Sequence, residues 1–556
     1  MRNSKSEIIL TTAILLTAFA CPNILQAGTG TVSVTVHEAG KDTPLPCRAW
    51  VEINGERLFK PITPSCTPYT KDRSFSCDGH FAIEVPAGKA LIHIERGKEY
   101  HTVNKEVTVQ ENQTTKVDIS FVRWINMREK GWYSADMHCH FGVNDIHVLK
   151  QTALADDINF EPVLTVWNHQ KNIWNLQTKA LGYIWPAWPE GPSIYADATH
   201  LITLQNEEIE RIGGEPFESV GALLLFGLTR PVAMPPKMVK YPCDVVLARK
   251  AKETSPECVI DTDKPIWGEN VVGVALGLFD SVQVCHNHYH RENTVPIGWG
   301  MAGADFEQES KDYGKNELFH RTNSTYYRFL NCGFKLVVTG GTAMGVMPAP
   351  LGYCRTYAKL EGPLTEANYL KAIHAGRTFA TSGPMLILTA NGLDSGATIQ
   401  YSTGKSEPIQ IKAQLHSIQP LSSLELIYNG KIVRQINLDD KVPSPLLKRS
   451  IELKLKPNRS GWVVARAVFT APDGFLRQAH TSPVYIAVDS KPTASKQDAE
   501  YMISWIDRLI KVSEKPGRYP SGEERKKAQV VFRKAQQIYR DIATTAVELW
   551  ETSGGQ

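Results

Sequence analysis

The 556-residue sequence predicts a multidomain protein of mixed class, all-β on both flanks and α/β in the middle, with a helical hairpin at its C-terminal end. Three observations predict it. Short runs that alternate apolar and polar, separated by turn-rich stretches, fill residues 28–125 and return over 386–490. Between them, over 126–385, apolar strand candidates are spaced by longer connections, the pattern of an α/β layer or barrel. Apolar residues then recur at helical spacing over 491–556.

Residues 1–27 carry a basic start at Arg2 and Lys5, an apolar run from Ile8 to Ala20, and Leu25-Gln26-Ala27 before Gly28. That order reads as a secretory signal peptide cleaved near Ala27, hence a periplasmic or secreted protein; a lipoprotein anchored through Cys21 is disfavoured by the poor Ala18-Phe19-Ala20 context. The first β-sandwich rests on Thr31 to Val36, Phe81 to Val85, Ala90 to Glu95 and Lys116 to Phe121. The α/β segment rests on Val163 to Trp167, His200 to Leu204, Leu223 to Phe226, Ser281 to Cys285 and Lys335 to Thr339. Ile409 to Gln414, Leu424 to Tyr428 and Trp462 to Phe469 build the second sandwich. Met502, Trp505, Ile506 and Leu509 mark one amphipathic helix, and a Ser521/Glu524 capping box opens the next. That hairpin either packs on the body or mediates an oligomer contact.

With 42% hydrophobic and 21% charged residues, the composition is that of an ordinary globular protein, and a net charge of +3 argues for neither a nucleic-acid nor a membrane-surface partner. The apolar run near the N-terminus is too short to span a bilayer, and no later segment qualifies. Nine cysteines follow Ala27, an odd number. Cys47, Cys66 and Cys77 are close enough in sequence to supply a disulfide, whereas Cys139, Cys285, Cys332 and Cys354 read as buried thiols.

The chemistry gathers around histidine. Trp132-Tyr133-Ser134-Ala135-Asp136-Met137-His138-Cys139-His140 sets two imidazoles two positions apart in a β-prone run, so they share a face that Cys139 does not. Eight of the sixteen histidines lie between His138 and His290, three of them in Cys285-His286-Asn287-His288-Tyr289-His290. Trp167-Asn168-His169-Gln170 and Gln205-Asn206-Glu207-Glu208 place further polar groups just past apolar runs. Such groups beyond the C-terminal ends of strands converge on one face of a (β/α) barrel, where active sites are built. One His-x-His is weak on its own; the whole set favours a metal site.

The segment Gly131 to Pro384 resembles the PHP (polymerase and histidinol phosphatase) superfamily, specifically its carbaryl-hydrolase-like (CehA/McbA-type) metallohydrolases. The likeness rests on Gly131 to His140, on Leu351-Gly352-Tyr353-Cys354-Arg355-Thr356-Tyr357, and on Ala375-Gly376-Arg377-Thr378-Phe379-Ala380-Thr381-Ser382-Gly383-Pro384. The N-terminal sandwich resembles a carboxypeptidase-regulatory-like module. The resemblance implies a distorted (β/α)7 barrel holding divalent metal. By position it implies His138, His140, His169 and Glu208 as ligands, with His286, His288 and His290 offering later ones, His288 preferred, and with Glu207 as the near competitor of Glu208 or else a solvated carboxylate. Asp136 is implied to orient the first pair. Two departures trim the centre to one or two ions: Ala343 stands where an aspartate is usual, and Ala222 lies in a run that lacks the usual histidine. Where relatives carry His-Pro, this chain has Asp261-Thr262-Asp263-Lys264-Pro265. Asp263 is assigned as a ligand, Lys264 as site-lining, and Asp261 to a polar loop.

The expected activity is that of an exported hydrolase using metal-activated water on an ester, carbamate or phosphoester of a small molecule, with Glu208, His288 and Lys264 as the catalytic groups. Zinc is the first choice of metal because imidazole dominates, ahead of manganese or iron. Arg355 and Arg377 offer anion contacts, although each reads more readily as a structural ion pair. Trp167, Trp174 and Trp299 offer apolar walls. The alternative is a catalytically degenerate barrel serving as a binding module for carbohydrate or a cell-surface partner.

Overall fold

A computed structural model describes residues 28–552 apart from 142–144, 171–178, 182–190, 192, 212–220, 233–243, 296–302, 304–305, 439–445, 517–518 and 520. The signal segment 1–27, Trp174 and Trp299 therefore lie outside the described residues, as does the side chain of His169. The architecture is mixed α/β with several sheets.

Strict alternation organises the N-terminal region. In Thr29–Glu38 the valines at 32, 34 and 36 are wholly buried while their neighbours face outward. This strand pairs antiparallel with His80–Pro86 and parallel with Thr114–Phe121. A six-stranded sheet centred on Cys47–Ile53 lies against it, and both sheets feed one core containing Val34, Phe75, Phe81, Ile92 and Phe121. Each such side chain contributes roughly 1.5–3 kcal/mol by leaving water. The expected strand runs of this region all fall within observed strands.

Arginines fasten this module to the middle of the chain. Arg48 Nε donates to Asp156 Oδ1 at 2.9 Å and Arg96 pairs with Asp157 at 3.0 Å. Arg291 forks onto Glu95 through both terminal nitrogens, at 2.5 and 2.6 Å.

The middle is built from two sheets that share a core of Ala135, Phe160, Leu201, Leu224, Phe226 and Val259. One has seven strands, in the order Lys179–Leu181, Val166–Gln170, Asn206–Arg211, Gly221–Phe226, Val259–Asp261, Ser281–Cys285 and Val337–Gly340. The other contains Leu201–Thr203, Phe160–Pro162, Trp132–Ala135, Arg355–Lys359 and Thr378–Thr381 as consecutive neighbours. The expected strand Val163 to Trp167 is divided. One strand ends at Pro162, the next begins at Val166 in the other sheet, and Val163 to Thr165 make the crossing. The parallel neighbour crosses likewise, from Leu201–Thr203 to Asn206–Arg211. Asn206 braces the buried carbonyls there, donating to Val163 O at 3.1 Å and to Thr203 O, which also accepts the Val163 N–H, at 3.2 Å. Strand ends left without such partners would bury unpaired backbone groups.

The second sheet continues without a break into the C-terminal β region, where Phe379 to Thr381 pair with Ala479 to Thr481. A four-stranded sheet covers it, and Leu388, Ala413, Leu415, Leu426 and Val463 fill the space between. Two helices, Lys496–Ser513 and Gly522–Thr552, close the chain. Ser521 Oγ accepts the Glu524 N–H at 3.2 Å, one half of the expected capping box. Of the two roles left open for this hairpin, packing on the body is the one seen: Trp505 Nε1 donates to Gly268 O and Tyr539 OH to Val271 O. Among the described residues no helix is long and apolar enough to cross a membrane.

Candidate metal centre

His138 and His140 do not lie within a strand. The strand Trp132–Ala135 ends before them, and they occupy the irregular segment that follows, which bends at Met137 and His138. Partners from 340–344 hold that segment: Met137 N–H donates to Gly340 O at 3.2 Å and His140 N–H to Met344 O at 2.8 Å. Both imidazoles face Glu208, while Cys139 turns away and meets Glu161 at 3.3 Å.

His140 Nε2 lies 2.7 Å and His138 Nε2 3.6 Å from Glu208 Oε2. His138, His140 and Glu208 are the group among the described residues whose ligand atoms all fall within 4.8 Å of one another. Their environment is dry, the three side chains being at most 7% exposed. His140 Nε2 and Glu208 Oε2 meet at 2.7 Å as a charged contact rather than an aligned hydrogen bond. A divalent cation shared by two imidazoles and a carboxylate fits this donor set, and its nitrogen content suits zinc.

Neither acidic neighbour stands where it was expected. Asp136 meets no imidazole; it accepts the backbone N–H groups of His138 at 3.0 Å, Thr342 at 2.9 Å and Gly352 at 2.7 Å, and so fixes the loop. Asp263, expected as a ligand, lies 3.4 Å from His138 Nδ1, on the ring edge opposite the one facing Glu208. It can therefore orient that imidazole from behind rather than share its ion, an arrangement common for metal-bound histidines. Asp263 adopts the left-handed conformation (φ 55°), with its N–H held by Asp261 Oδ1 at 2.8 Å. Strain of this kind persists only where the surroundings impose it. Its carboxylate is paired with Lys264 and accepts from Trp267 Nε1 at 3.0 Å.

Burial works against charge on His138, but Glu208 and Asp263 overcome it and raise its pKa to about 10. Burial prevails at His140 and lowers its pKa despite Glu208. Against the cost of burial, the two imidazoles bring Glu208 down to about 2.

His286 and His288 follow the strand Ser281–Cys285, which neighbours the one that leads into Asp263. Neither joins the three-residue group. His286 is engaged at both nitrogens: Nδ1 accepts the His288 N–H at 3.4 Å and Nε2 meets Thr322 Oγ1 at 3.3 Å. His288 Nδ1 meets the Val295 carbonyl at 3.0 Å, which places the proton there and leaves Nε2 as the acceptor. Burial and then the Lys264 charge lower its pKa to about 3. His290 contacts Asn287 O and Asn293 Oδ1.

Several other expectations are corrected. Glu207 is fully buried rather than solvated, and its Oε2 accepts the Val232 N–H at 2.7 Å. Asp261 belongs to a strand end and accepts from Ser281 Oγ at 2.6 Å. Arg355 donates to the carbonyls of Gly352 and Asp156 instead of an acid, whereas Arg377 does form the expected ion pair, with Glu361. Trp167 does line the site, its ring centroid 4.6 Å from that of His140. His169 lies in register beside Glu210. Glu210 itself is a residue the sequence reading missed. It stands two positions beyond Glu208 on the same strand, so period-two counting would have found it. Burial and then the Glu208 charge push its pKa up to about 8.

No family model matches the chain, and no curated protein matches it.

Proposed function

We propose that this protein is an exported metal-dependent hydrolase with a PHP-like barrel of the carbaryl-hydrolase type, acting on an ester, carbamate or phosphoester. The observation that carries the reading is the buried meeting of His138, His140 and Glu208, whose ligand atoms lie within 4.8 Å of one another. The crossing of two strand pairs from one central sheet to the other supports the barrel-like reading, because it brings their polar ends together. A divalent ion bound there supplies Lewis acidity, acidifying a water and polarising a carbonyl or phosphoryl oxygen.

The chain's own residues do the rest. His138 and His140 hold the ion with Glu208, and Asp263 fixes the His138 ring. Lys264 balances the Asp263 charge in a site without solvent to do so. His288, with Nε2 free of its own proton, offers a neutral hydrogen-bond acceptor to the substrate. Trp167 supplies an apolar wall beside His140.

Metal analysis of the purified full chain tests the proposal, with His138→Ala and His140→Ala as comparisons. About one equivalent of metal, lost in both variants, supports it, and p-nitrophenyl esters and phosphoesters then identify the bond. A metal-free protein, or variants with unaltered metal content, ends the hydrolase reading. Ala343, which offers no ligand atom, favours one second reading, a binding module. Stoichiometric metal without turnover of any ester or phosphoester would select it.

A further inference from the structure

Three cysteines, Cys47, Cys66 and Cys77, meet at one end of the N-terminal core. Cys47 and Cys77 are register partners on the antiparallel strands Cys47–Ile53 and Ser74–Cys77, and their sulfurs are 3.4 Å apart. Partners in such a ladder hold their Cα atoms about 4.5–5.5 Å apart, within the span of about 4.4–6.8 Å that a disulfide requires. Either of the Cys47 and Cys77 sulfurs can donate to the other, and the Cys66 thiol lies against the His80 carbonyl, one position beyond the register pair Thr67 and Ser76 on the adjoining strand. Access differs across the trio. Cys47 and Cys77 are wholly buried, whereas Cys66 keeps 9% of its surface exposed.

We infer that the three thiols form an exchange relay, entered at Cys66 and ending in a Cys47–Cys77 disulfide. The oxidant is a small disulfide of the glutathione class. Cys66 attacks one of its sulfurs, the S–S bond breaks, and one glutathione leaves as thiol carrying the Cys66 proton. Cys77 then displaces the second glutathione to give Cys66–Cys77. Cys47 attacks the Cys77 sulfur and expels Cys66, which recovers a proton as thiol. In sum, two cysteine thiols become one disulfide and one glutathione disulfide becomes two thiols. The bond staples the root of the hairpin Thr67–Tyr69/Ser74–Cys77. That hairpin carries Tyr69 and Lys71, which hold the backbone of 345–347 beside His140.

The full chain is reduced, freed of reductant and exposed to glutathione disulfide. It is then alkylated with iodoacetamide in denaturant and mapped by mass spectrometry. The expected end product is a Cys47–Cys77 linked peptide about 2 Da lighter than its two thiol halves, with Cys66 alkylated. Acid-quenched early samples should carry glutathione on Cys66, and Cys66→Ser should slow formation of the bond by about tenfold or more. Alkylated Cys77 at the end of oxidation, or a final bond from Cys66 to either partner, overturns the inference. Early samples with glutathione on Cys47 or Cys77 instead overturn the order of the relay, whether or not Cys66→Ser folds.

Discussion

Gly341 offers a way to disturb the proposed metal site without touching a ligand. A Cβ built there would lie 2.5 Å from His138 Cβ and 2.6 Å from His138 N, where ordinary contact begins at 3.4 Å. Gly341→Ala therefore demands a displacement of about 0.9 Å between two backbone segments. His138 has little room to retreat, because its N–H is bonded to Asp136, which is itself held by Thr342 and Gly352. Overpacking of this kind costs about 1–3 kcal/mol. A site that needs its ligands placed to about 0.5 Å should lose roughly 10–100-fold in zinc affinity, the range seen when supporting groups are lost. Zinc affinity by competition with a chromophoric chelator, together with thermal melts with and without chelator, reads both effects. Gly277→Ala is the control: it meets nothing within 4 Å and has φ +66°, so it pays a backbone cost and leaves zinc binding alone. If Gly341→Ala binds zinc within about twofold of the parent and melts with it, the proposed dependence of the site on this close approach is wrong.

Three further outcomes follow from the same contacts. Lys264→Met strips the buried Asp263 carboxylate of its cation and should cost about 3–5 kcal/mol in urea unfolding, most of it recovered by adding Asp263→Asn. An unchanged urea midpoint for the single variant would contradict the pairing. Tyr69→Phe removes a hydroxyl that accepts the Gly345 N–H at 2.9 Å and donates to Met347 O at 2.5 Å, with an expected loss of about 1–3 kcal/mol. Its zinc affinity should fall as well, since Met344 anchors His140; equal affinity would separate the hairpin from the site. Glu95 resists the cost of burial because Arg291 holds its pKa at about 2, below the ordinary 4.5. Its folded value is the lower one, so this stabilisation is full above the ordinary pKa and is lost as pH falls through about 2. It totals about 3 kcal/mol. Glu95→Gln should flatten that part of the acid-unfolding profile, and a profile identical to the parent's would refute the assignment.

Local pattern carried much of this fold. Alternation found the strands of the N-terminal core, and Ser281–Cys285 emerged at the expected bounds. The nearness of His138 and His140 was also legible from their spacing, although the backbone bends at Met137 and His138 instead of continuing the strand. What local pattern could not show is non-local. The run Val163 to Trp167 looks like one strand, and only its passage between two sheets explains the break. Nothing near Thr378–Thr381 announces a partner about a hundred residues away. The role of Asp263 depends on which edge of the His138 ring it reaches, a matter of a loop conformation that includes a left-handed aspartate. Glu210 lies two positions beyond Glu208 on one strand, a spacing the sequence does show.

The pairing of Thr378–Thr381 with Leu476–Thr481 also governs how this protein can be cut. A fragment ending at the composition shift near residue 386 would keep the candidate metal residues but expose the free side of Thr378–Thr381. The N–H and C=O groups of alternate residues, Thr378 and Ala380, would then stand unpaired beside a buried apolar face, a template for joining other chains. Such a fragment should aggregate where the full chain does not. The smallest soluble form that retains the metal residues should therefore extend past Val488, and expression trials are best designed around that limit.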